Sequence, residues 1–166
     1  WDLVNHTYNH IKILDLDYNE QYEDIKKAMD WLNEKSFTRA SDILVYSYGE
    51  PNEDTFKVLE DLNIRSARST YEEIERKMPF NIYLIKSYVV YSDTKIEFVK
   101  RLIDDTIEKN GTLILVFHKF EEPTDDSGMQ YSPLYFNILL KYIDNKRENL
   151  NIITYSEWLD YIDTGR

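Results

Sequence analysis

The feature that most constrains the fold is the regular alternation of strand-like and helix-like segments along the chain. Apolar residues at helical spacing predict helices over 19–35, 53–62, 95–109 and 133–149, and a last helix that begins at Thr154 and passes through Ile162. Short apolar runs predict strands over 1–4, 43–46, 63–67, 81–91, 112–117 and 151–154. The segments 68–79 and 121–130 are predicted to be loops, the first with a helical turn at 71–76. This alternation favours βα units around a parallel sheet or barrel, so the predicted fold class is α/β.

Composition argues against several classes of function. The chain has 166 residues, with 20 Lys and Arg against 31 Asp and Glu, and a net charge of −11. Such an acidic chain is repelled by a phosphate backbone and by an anionic bilayer surface, which disfavours nucleic-acid and membrane-surface binding. No apolar run approaches the roughly 20 residues that a membrane span needs. Cysteine is absent, so disulfides, thiolate nucleophiles and cysteine metal sites are excluded.

The two ends of the sequence differ in character. The apolar start at Trp1 has no methionine or leader before it, which predicts that the sequence begins inside a domain. The other end carries a capping pattern from Thr154 to Glu157 and a glycine at Gly165, which is typical of a natural helix end. Because composition does not shift along the chain, we expect residues 1–166 to be the C-terminal portion of a single domain.

Two of the three histidines are placed where they could share a metal ion. His6 and His10 are four residues apart, a spacing that on a helical turn puts both imidazoles on one face. The alternative is a pair of exposed helical histidines that bind nothing. The position after an apolar strand favours the metal, and so do Asn5 and Thr7, which could orient the rings.

Two further positions follow predicted strands. His118 ends the strand 112–117, where barrel enzymes collect catalytic groups, and a histidine there can act as a general acid near neutral pH. The alternative is a structural histidine at a strand end. Tyr48 and Gly49 follow the strand 43–46, and their turn could aim a backbone N–H at a developing oxyanion or could be only a turn.

These motifs together resemble those of the polysaccharide deacetylases, the NodB-homology carbohydrate esterases. Residues Asn5–His10 resemble the His-[Ser/Thr]-x-x-His metal motif of that family, and Tyr46–Gly49 resemble its aromatic-Pro-Tyr-Gly strand end. Leu115–His118 are similar to the Leu-x-His that carries its catalytic histidine, and Thr154–Glu157 look like the start of its last helix. The matches follow the family's order, span nearly the whole chain and include every histidine.

The resemblance implies a fold, a cofactor and a reaction. The fold would be a deformed (β/α) barrel that lacks its first strand or strands in this sequence. A divalent metal, most often zinc, with cobalt or nickel as alternatives, would be held by one Asp and two His. The reaction would be hydrolytic removal of N-acetyl groups from a glycan of the N-acetylglucosamine type, by a protein that is secreted or attached to the cell surface.

The resemblance also assigns roles to individual residues. His6 and His10 match the metal ligands, and His118 matches the general acid that protonates the leaving amine. Tyr48 matches the residue whose backbone N–H lines the oxyanion hole. Substrate contacts are expected at Val116, in the position of the residue that walls the acetyl pocket, and at Tyr46. We expect the strand ends that carry His6, Tyr48 and His118 to converge on one face.

Departures from the family pattern keep other functions open. The Thr-Phe-Asp-Asp motif, with the base and the third ligand, would precede Trp1, so this chain alone is expected to be inactive. Val45 and Ser47 replace the usual Arg and Pro, and Arg68 is a candidate for orienting the base instead. The run 124–128 mimics the missing motif but is predicted to be a surface loop. The alternatives are a catalytically impaired carbohydrate-binding relative and a plain metal-binding domain; the sequence predicts no oligomeric state.

Overall fold

The computed structural model describes residues 1–76, 81–122 and 127–163, and these form two compact units. The described residues of unit 1 are 1–70, 81–85 and 152–163. Those of unit 2 are 71–76, 86–122 and 127–151. That the chain is one catalytic domain stays a prediction.

Helices and short strands alternate through both units. The helices are α1 (Tyr18–Glu34), α2 (Glu53–Asp61), α3 (Ile96–Lys109), α4 (Pro133–Asp144) and α5 (Tyr155–Asp163). The strands are β1 (Ile43–Val45), β2 (Ser66–Arg68), β3 (Tyr88–Val89), β4 (Leu115–Val116), β5 (Lys119–Phe120) and β6 (Gln130–Tyr131). Single 3₁₀ turns cover Ile13–Asp15, Ser47–Gly49 and Arg147–Asn149. In the described part of the chain, no helix is both long enough and apolar enough to cross a bilayer.

Unit 1 is built around the parallel pair β1 and β2, in which Leu44 lies opposite Ala67. Single parallel bridges join Asn5 to Leu44 and Arg68 to Ile85, so each strand also has a neighbour on its outer side. The Asn5 N–H donates to the carbonyl of Ile43 at 2.9 Å, and the Val45 N–H donates to the carbonyl of Asn5 at 2.8 Å. Because all these segments run parallel, residues that follow Asn5, β1 and β2 lie along the same edge of the sheet.

Two of the three helices of unit 1, α1 and α2, begin with capping boxes. The Asp17 side chain accepts from the Glu20 N–H at the start of α1, and the Asn52 side chain accepts from the Thr55 N–H at the start of α2. Gln21 connects the two starts, because its Nε2 donates to the Asn52 Oδ1 at 3.2 Å. The apolar faces of the helices and strands then share one core, whose buried members are Ile13, Ile25, Leu44, Tyr46, Val58, Leu59, Leu62, Ile64 and Ala67.

Unit 2 contains two separate parallel pairs, β3 with β4 and β5 with β6. Its buried core comprises Val90, Val99, Ile103, Tyr131 and Leu139. The helix α3 ends at Asn110, which adopts the left-handed conformation with φ +48°, as the Asn-Gly pair in the sequence predicts. In α4 only Leu139 is buried, although the helix is apolar on most sides.

The predicted α/β class is confirmed, and short parallel strand pairs are what the structure shows of the sheet. Four of the five helices agree with the sequence pattern within a few residues. The exception is the helix predicted over 133–149, because α4 ends at Asp144 and a 3₁₀ turn follows at Arg147–Asn149. The periodic apolar residues continue through this turn, which explains the longer prediction.

Four local predictions are wrong. The strand predicted over 81–91 is confined to Tyr88–Val89, with a turn at 82–84 and a single bridge at Ile85. The predicted buried strand over 1–4 is irregular, with Trp1 fully exposed and Leu3 half exposed, and pairing starts only at Asn5. The predicted helical turn over 71–76 is extended, because Glu75 exchanges backbone hydrogen bonds of 3.0 and 2.7 Å with Thr112. Residues 151–154 form no strand, since their last member caps α5 instead.

Candidate functional site

The loop of residues 5–10 in unit 1 carries the histidine pair. It is not the helical turn that the spacing predicts, because Thr7 and His10 have left-handed backbones with φ +62° and +54°. Side chains take the hydrogen bonds that a helix would use. The Asn5 Oδ1 accepts from the Thr7 N–H at 2.9 Å, and the Thr7 Oγ1 accepts from the His10 N–H at 3.1 Å. Each left-handed residue costs on the order of 1–3 kcal/mol, so the surrounding contacts must hold this path.

The loop nevertheless brings the two imidazoles together. The ring centroids of His6 and His10 lie 4.8 Å apart, with the ring planes at 75° to each other. Two zinc ligands with metal–nitrogen distances of about 2.1 Å need their donor atoms within roughly 3–4 Å, and rings at this separation can meet that requirement. The two side chains are therefore neighbours despite the absence of a helix.

A backbone carbonyl fixes the tautomer of His6. The His6 Nδ1 lies 2.7 Å from the carbonyl oxygen of Val45, which can only accept a hydrogen bond. The proton of the neutral ring is therefore on Nδ1, and Nε2 keeps the lone pair that a metal requires. Metal-binding histidines usually donate their second ring N–H in this way, so the residue fits a divalent metal. The sequence assigns the orienting role to Asn5 and Thr7, which instead shape the backbone of the loop.

A buried carboxylate on α1 accepts hydrogen bonds from the loop 5–10. Asp24, 7% exposed, accepts from the N–H groups of Tyr8 at 3.2 Å and Asn9 at 3.1 Å, and from the Asn9 Nδ2 at 2.5 Å. The Asn5 Nδ2 adds a bond of 2.8 Å to the carbonyl of Ile25. The sequence analysis missed Asp24, although a polar residue on the apolar stripe of a helix is a signal that could have found it.

The turn after β1 lies beside this loop and has a left-handed backbone. Tyr48 has φ +62° and ψ +5°, and Gly49 has φ +83°. The turn is closed by the Gly49 N–H, which donates to the carbonyl of Tyr46 at 3.1 Å. The Tyr48 ring is 63% exposed and its centroid lies 5.2 Å from that of His10. A side chain at Gly49 would collide with Thr70, since a Cβ there would lie 2.0 Å from the Thr70 Oγ1.

Comparison with known proteins covers this part of the chain. A family model described as polysaccharide deacetylase matches residues 1–67. Residues 1–67 are therefore similar to the N-terminal portion of a polysaccharide deacetylase domain. The match includes the loop 5–10, β1 and the Tyr48 turn, but it ends before Arg68 and unit 2. No curated protein matches the chain significantly.

Two other predicted residues of unit 1 are buried, Tyr46 inside the matched range and Arg68 directly after it. Tyr46 is 1% exposed, and its hydroxyl donates to the carbonyl of Tyr83 at 2.7 Å. This burial does not fit the predicted substrate contact, because the side chain fills the core. Arg68 is 9% exposed at the end of β2, and burial lowers the pKa of its guanidinium to about 10. The side chain is still a cation at neutral pH, which the predicted role of orienting a carboxylate requires.

The remaining predicted residues lie in unit 2 or outside the described residues. Val116 is half buried in β4, and its carbonyl accepts from the Val90 N–H at 2.9 Å. His118 is exposed between β4 and β5. Its predicted convergence with His6 and Tyr48 stays a prediction. The Asp-Asp pair of the run 124–128 lies outside the described residues, so its assignment to a surface loop stays a prediction as well.

Carboxylates do not complete a ligand set in the described part of the chain. Over residues 1–76, 81–122 and 127–163, no group of three or more His, Asp or Glu side chains is arranged to hold a metal ion. Within these residues, the histidine pair offers two nitrogen donors.

Proposed function

We propose that this protein is a metal-dependent carbohydrate esterase that removes N-acetyl groups from a glycan of the N-acetylglucosamine type. The observation that carries the proposal is the histidine pair, with ring centroids 4.8 Å apart, inside a segment that matches the deacetylase family. The tautomer of His6 supports it, because the neutral ring then carries its lone pair on Nε2, the nitrogen that a metal would bind. Zinc is the favoured metal, with cobalt and nickel as alternatives.

His6 and His10 would hold the metal, with His6 binding through Nε2. A divalent cation bound there supplies Lewis-acid polarisation of an acetamide carbonyl and of the attacking water. We propose that the third ligand and the base are the paired aspartates of the family motif, which the resemblance places before Trp1. Arg68, as a buried cation, would orient that base.

The other roles follow the hydrolysis of an amide. As water adds to the acetamide carbon, negative charge grows on the carbonyl oxygen, and the Tyr48 N–H would donate a hydrogen bond to it. The carbon–nitrogen bond then breaks, and His118 would give a proton to the nitrogen so that a free amine leaves. Acetate is the other product. Val116 would contact the acetyl methyl group.

The fold and the location belong to the same proposal. The parallel order of the Asn5 segment, β1, β2 and the Ile85 segment supports a (β/α) barrel wall, which further strands would close. We propose a secreted or cell-surface location, which the resemblance implies for a protein that acts on a glycan of this type.

A catalytically impaired carbohydrate-binding relative is the second candidate. It is favoured by Val45, which stands where the family usually has an arginine. Loss of that arginine would leave the base without its orienting cation unless Arg68 takes over the role.

Acetate release by the full-length protein tests the proposal. The protein, with any residues that precede Trp1, is incubated with N-acetylglucosamine oligomers and zinc, cobalt or nickel, and the products are followed by mass spectrometry. We expect each acetyl group that leaves to lower the oligomer mass by about 42 Da, and we expect His10→Ala to abolish this loss. Glycan binding without acetate release would establish the second candidate instead. Absence of both metal and glycan binding would overturn the two candidates together.

A further inference from the structure

The loop 5–10 contains two residues with left-handed backbones, Thr7 and His10. In the described part of the chain it belongs to no helix and forms a single strand bridge, so regular secondary structure does not account for its path. The backbone N–H groups of Tyr8 and Asn9, at its centre, both donate to the side chain of Asp24. The Asp24 Oδ1 accepts from the Asn9 N–H at 3.1 Å and from the Asn9 Nδ2 at 2.5 Å, and the Oδ2 accepts from the Tyr8 N–H at 3.2 Å. Both carboxylate oxygens are therefore used by the loop.

The chemistry of this contact requires a carboxylate. Three N–H donors converge on Asp24, and an ionised carboxylate offers acceptor sites only. An asparagine would turn its own NH₂ group toward one of these donors. In the described part of the chain, no lysine or arginine forms an ion pair with Asp24. The loop's N–H groups thus provide the polar contacts that a buried charge needs.

The two histidines depend on this support to different degrees. His6 has an anchor of its own, because its ring is bonded to the Val45 carbonyl on β1. His10 follows Asn9 directly, and its backbone N–H is bonded only within the loop, to the Thr7 Oγ1. A second contact from α1 reaches the same region, since the Lys27 Nζ lies 3.9 Å from the centroid of the Tyr8 ring.

We infer that Asp24 is a positioning residue that sets His10 at binding distance from His6, so that the two rings can share a divalent metal. The inference rests on the proposed function, since it assigns the metal to this pair. It adds the statement that α1, through one buried carboxylate, fixes the spacing of the ligands.

The variant Asp24→Asn tests the inference in the full-length protein. We expect a 10- to 100-fold loss of zinc affinity by calorimetry, which is the usual cost of losing a group that orients metal ligands. In the metal-free protein, ¹⁵N NMR of the histidine rings should show His6 still protonated on Nδ1, while the His10 signals shift. A uniform effect on both rings would contradict the different anchoring that the structure shows.

Asp17→Asn is the matched control. This residue is also an aspartate of the α1 region whose side chain accepts a backbone N–H, that of Glu20 at 3.0 Å, but it has no hydrogen bond to the loop 5–10. We expect it to lower the melting temperature without changing zinc affinity. Equal losses of affinity in the two variants would overturn the inference, because a weakened helix would then explain both.

A milder variant keeps the test decisive if Asp24→Asn does not fold. Asn9→Ala removes the Nδ2 donor from the exposed side of the contact and leaves the carboxylate in place. We expect a several-fold loss of zinc affinity and a shift of the His10 ring signals. Unchanged His10 signals would overturn the inference. Wild-type protein that does not bind zinc would overturn the proposed function, whereas the NMR comparison would still decide whether Asp24 positions His10.

Discussion

The histidine pair of unit 1 and the histidine of unit 2 are held in contrasting ways. His6 and His10 lie on a loop that is fixed by a strand carbonyl, by Asp24 and by its own side chains. His118 lies exposed between β4 and β5, which have two residues each. The difference agrees with the roles proposed above, because two ligands of one metal would have to keep their mutual distance, whereas a proton donor would have to be reachable by its substrate.

The largest effect is expected from His118→Ala. If the exposed histidine is the general acid, kcat of the full-length protein should fall by roughly 10²–10⁴-fold, and zinc affinity should stay the same. Deacetylation kinetics and calorimetry on the same preparation measure the two quantities. Loss of zinc from this variant would place His118 among the ligands and would remove the contrast between the two regions.

His10→Ala is the corresponding test in the loop 5–10. We expect zinc affinity to fall by about 100-fold or more, because losing a ligand costs at least as much as losing a group that orients one. Calorimetry measures the affinity, and His118→Ala serves as the control. Zinc affinity that survives the loss of His10 would exclude the pair as the metal site.

The two left-handed glycines give a further comparison between the units. Gly49, in the Tyr48 turn, has φ +83°, and a Cβ there would lie 2.0 Å from the Thr70 Oγ1. Gly128, in unit 2, has φ +71°, but the nearest atom to its Cβ would be the Tyr91 Cδ1 at 3.9 Å. We expect Gly49→Ala to lower the free energy of unfolding by about 2–4 kcal/mol and Gly128→Ala by about 1 kcal/mol.

Urea titration of both alanine variants measures this difference. Both positions have a left-handed backbone, so both alanine variants are strained. The larger loss of unfolding free energy at Gly49 would therefore measure the collision with Thr70. The double variant Gly49→Ala with Thr70→Ala should recover part of the loss. Equal losses at both glycines would show that the turn beside the histidine loop is no tighter than the corresponding loop of unit 2.

The smallest effect is expected in the pH dependence of the stability of unit 1. Burial raises the pKa of Asp2, but hydrogen bonds from the Ser156 N–H and from the Arg39 side chain outweigh it, so that the pKa lies below the ordinary 3.8. The unfolded state then binds more protons as the pH falls. The stabilisation is present above pH 4 and is lost as the pH falls through the folded-state pKa. The urea midpoints of wild type and Asp2→Asn should therefore converge in acid.

An exposed carboxylate of unit 2 is the control for this measurement. A hydrogen bond from the Lys146 ammonium, with a second from the Tyr142 hydroxyl, lowers the pKa of Asp104. Because this group is open to solvent, salt should weaken its contribution more than that of Asp2. The same salt dependence at both carboxylates would contradict the stronger burial of the Asp2 contact.

The sequence predicts the regular elements better than the loops. The apolar period placed α1, α2 and α3 within one or two residues, because burial of one helix face imposes that period. It gave no information about the loop 5–10, whose path depends on the Asp24 carboxylate and on side-chain acceptors from Asn5 and Thr7. The proximity of the two histidines was therefore predicted from a helical turn that does not exist, and a different geometry produces it.

The same limit applies to individual residues. Tyr46 falls inside a family motif and was predicted to contact substrate, yet its position in the middle of the core is set by which face of the strand turns inward. Asp24 was not singled out by the sequence analysis, although it lies on the buried stripe of α1 with Gln21, Ile25 and Ala28. Such assignments depend on tertiary packing, which a local pattern does not contain.

The bond between Gln21 and Asn52 has a consequence for how unit 1 opens. The Asn52 Oδ1 accepts both from the Thr55 N–H that caps α2 and from the Gln21 Nε2 in the first turns of α1. The first turn of α2 therefore cannot fray without releasing a side chain that is fully buried. Amide hydrogens at the two helix starts should exchange with solvent in one common opening event, with matching rates and matching dependence on denaturant. The segments that carry the histidine pair and the Tyr48 turn would then be protected together or lost together.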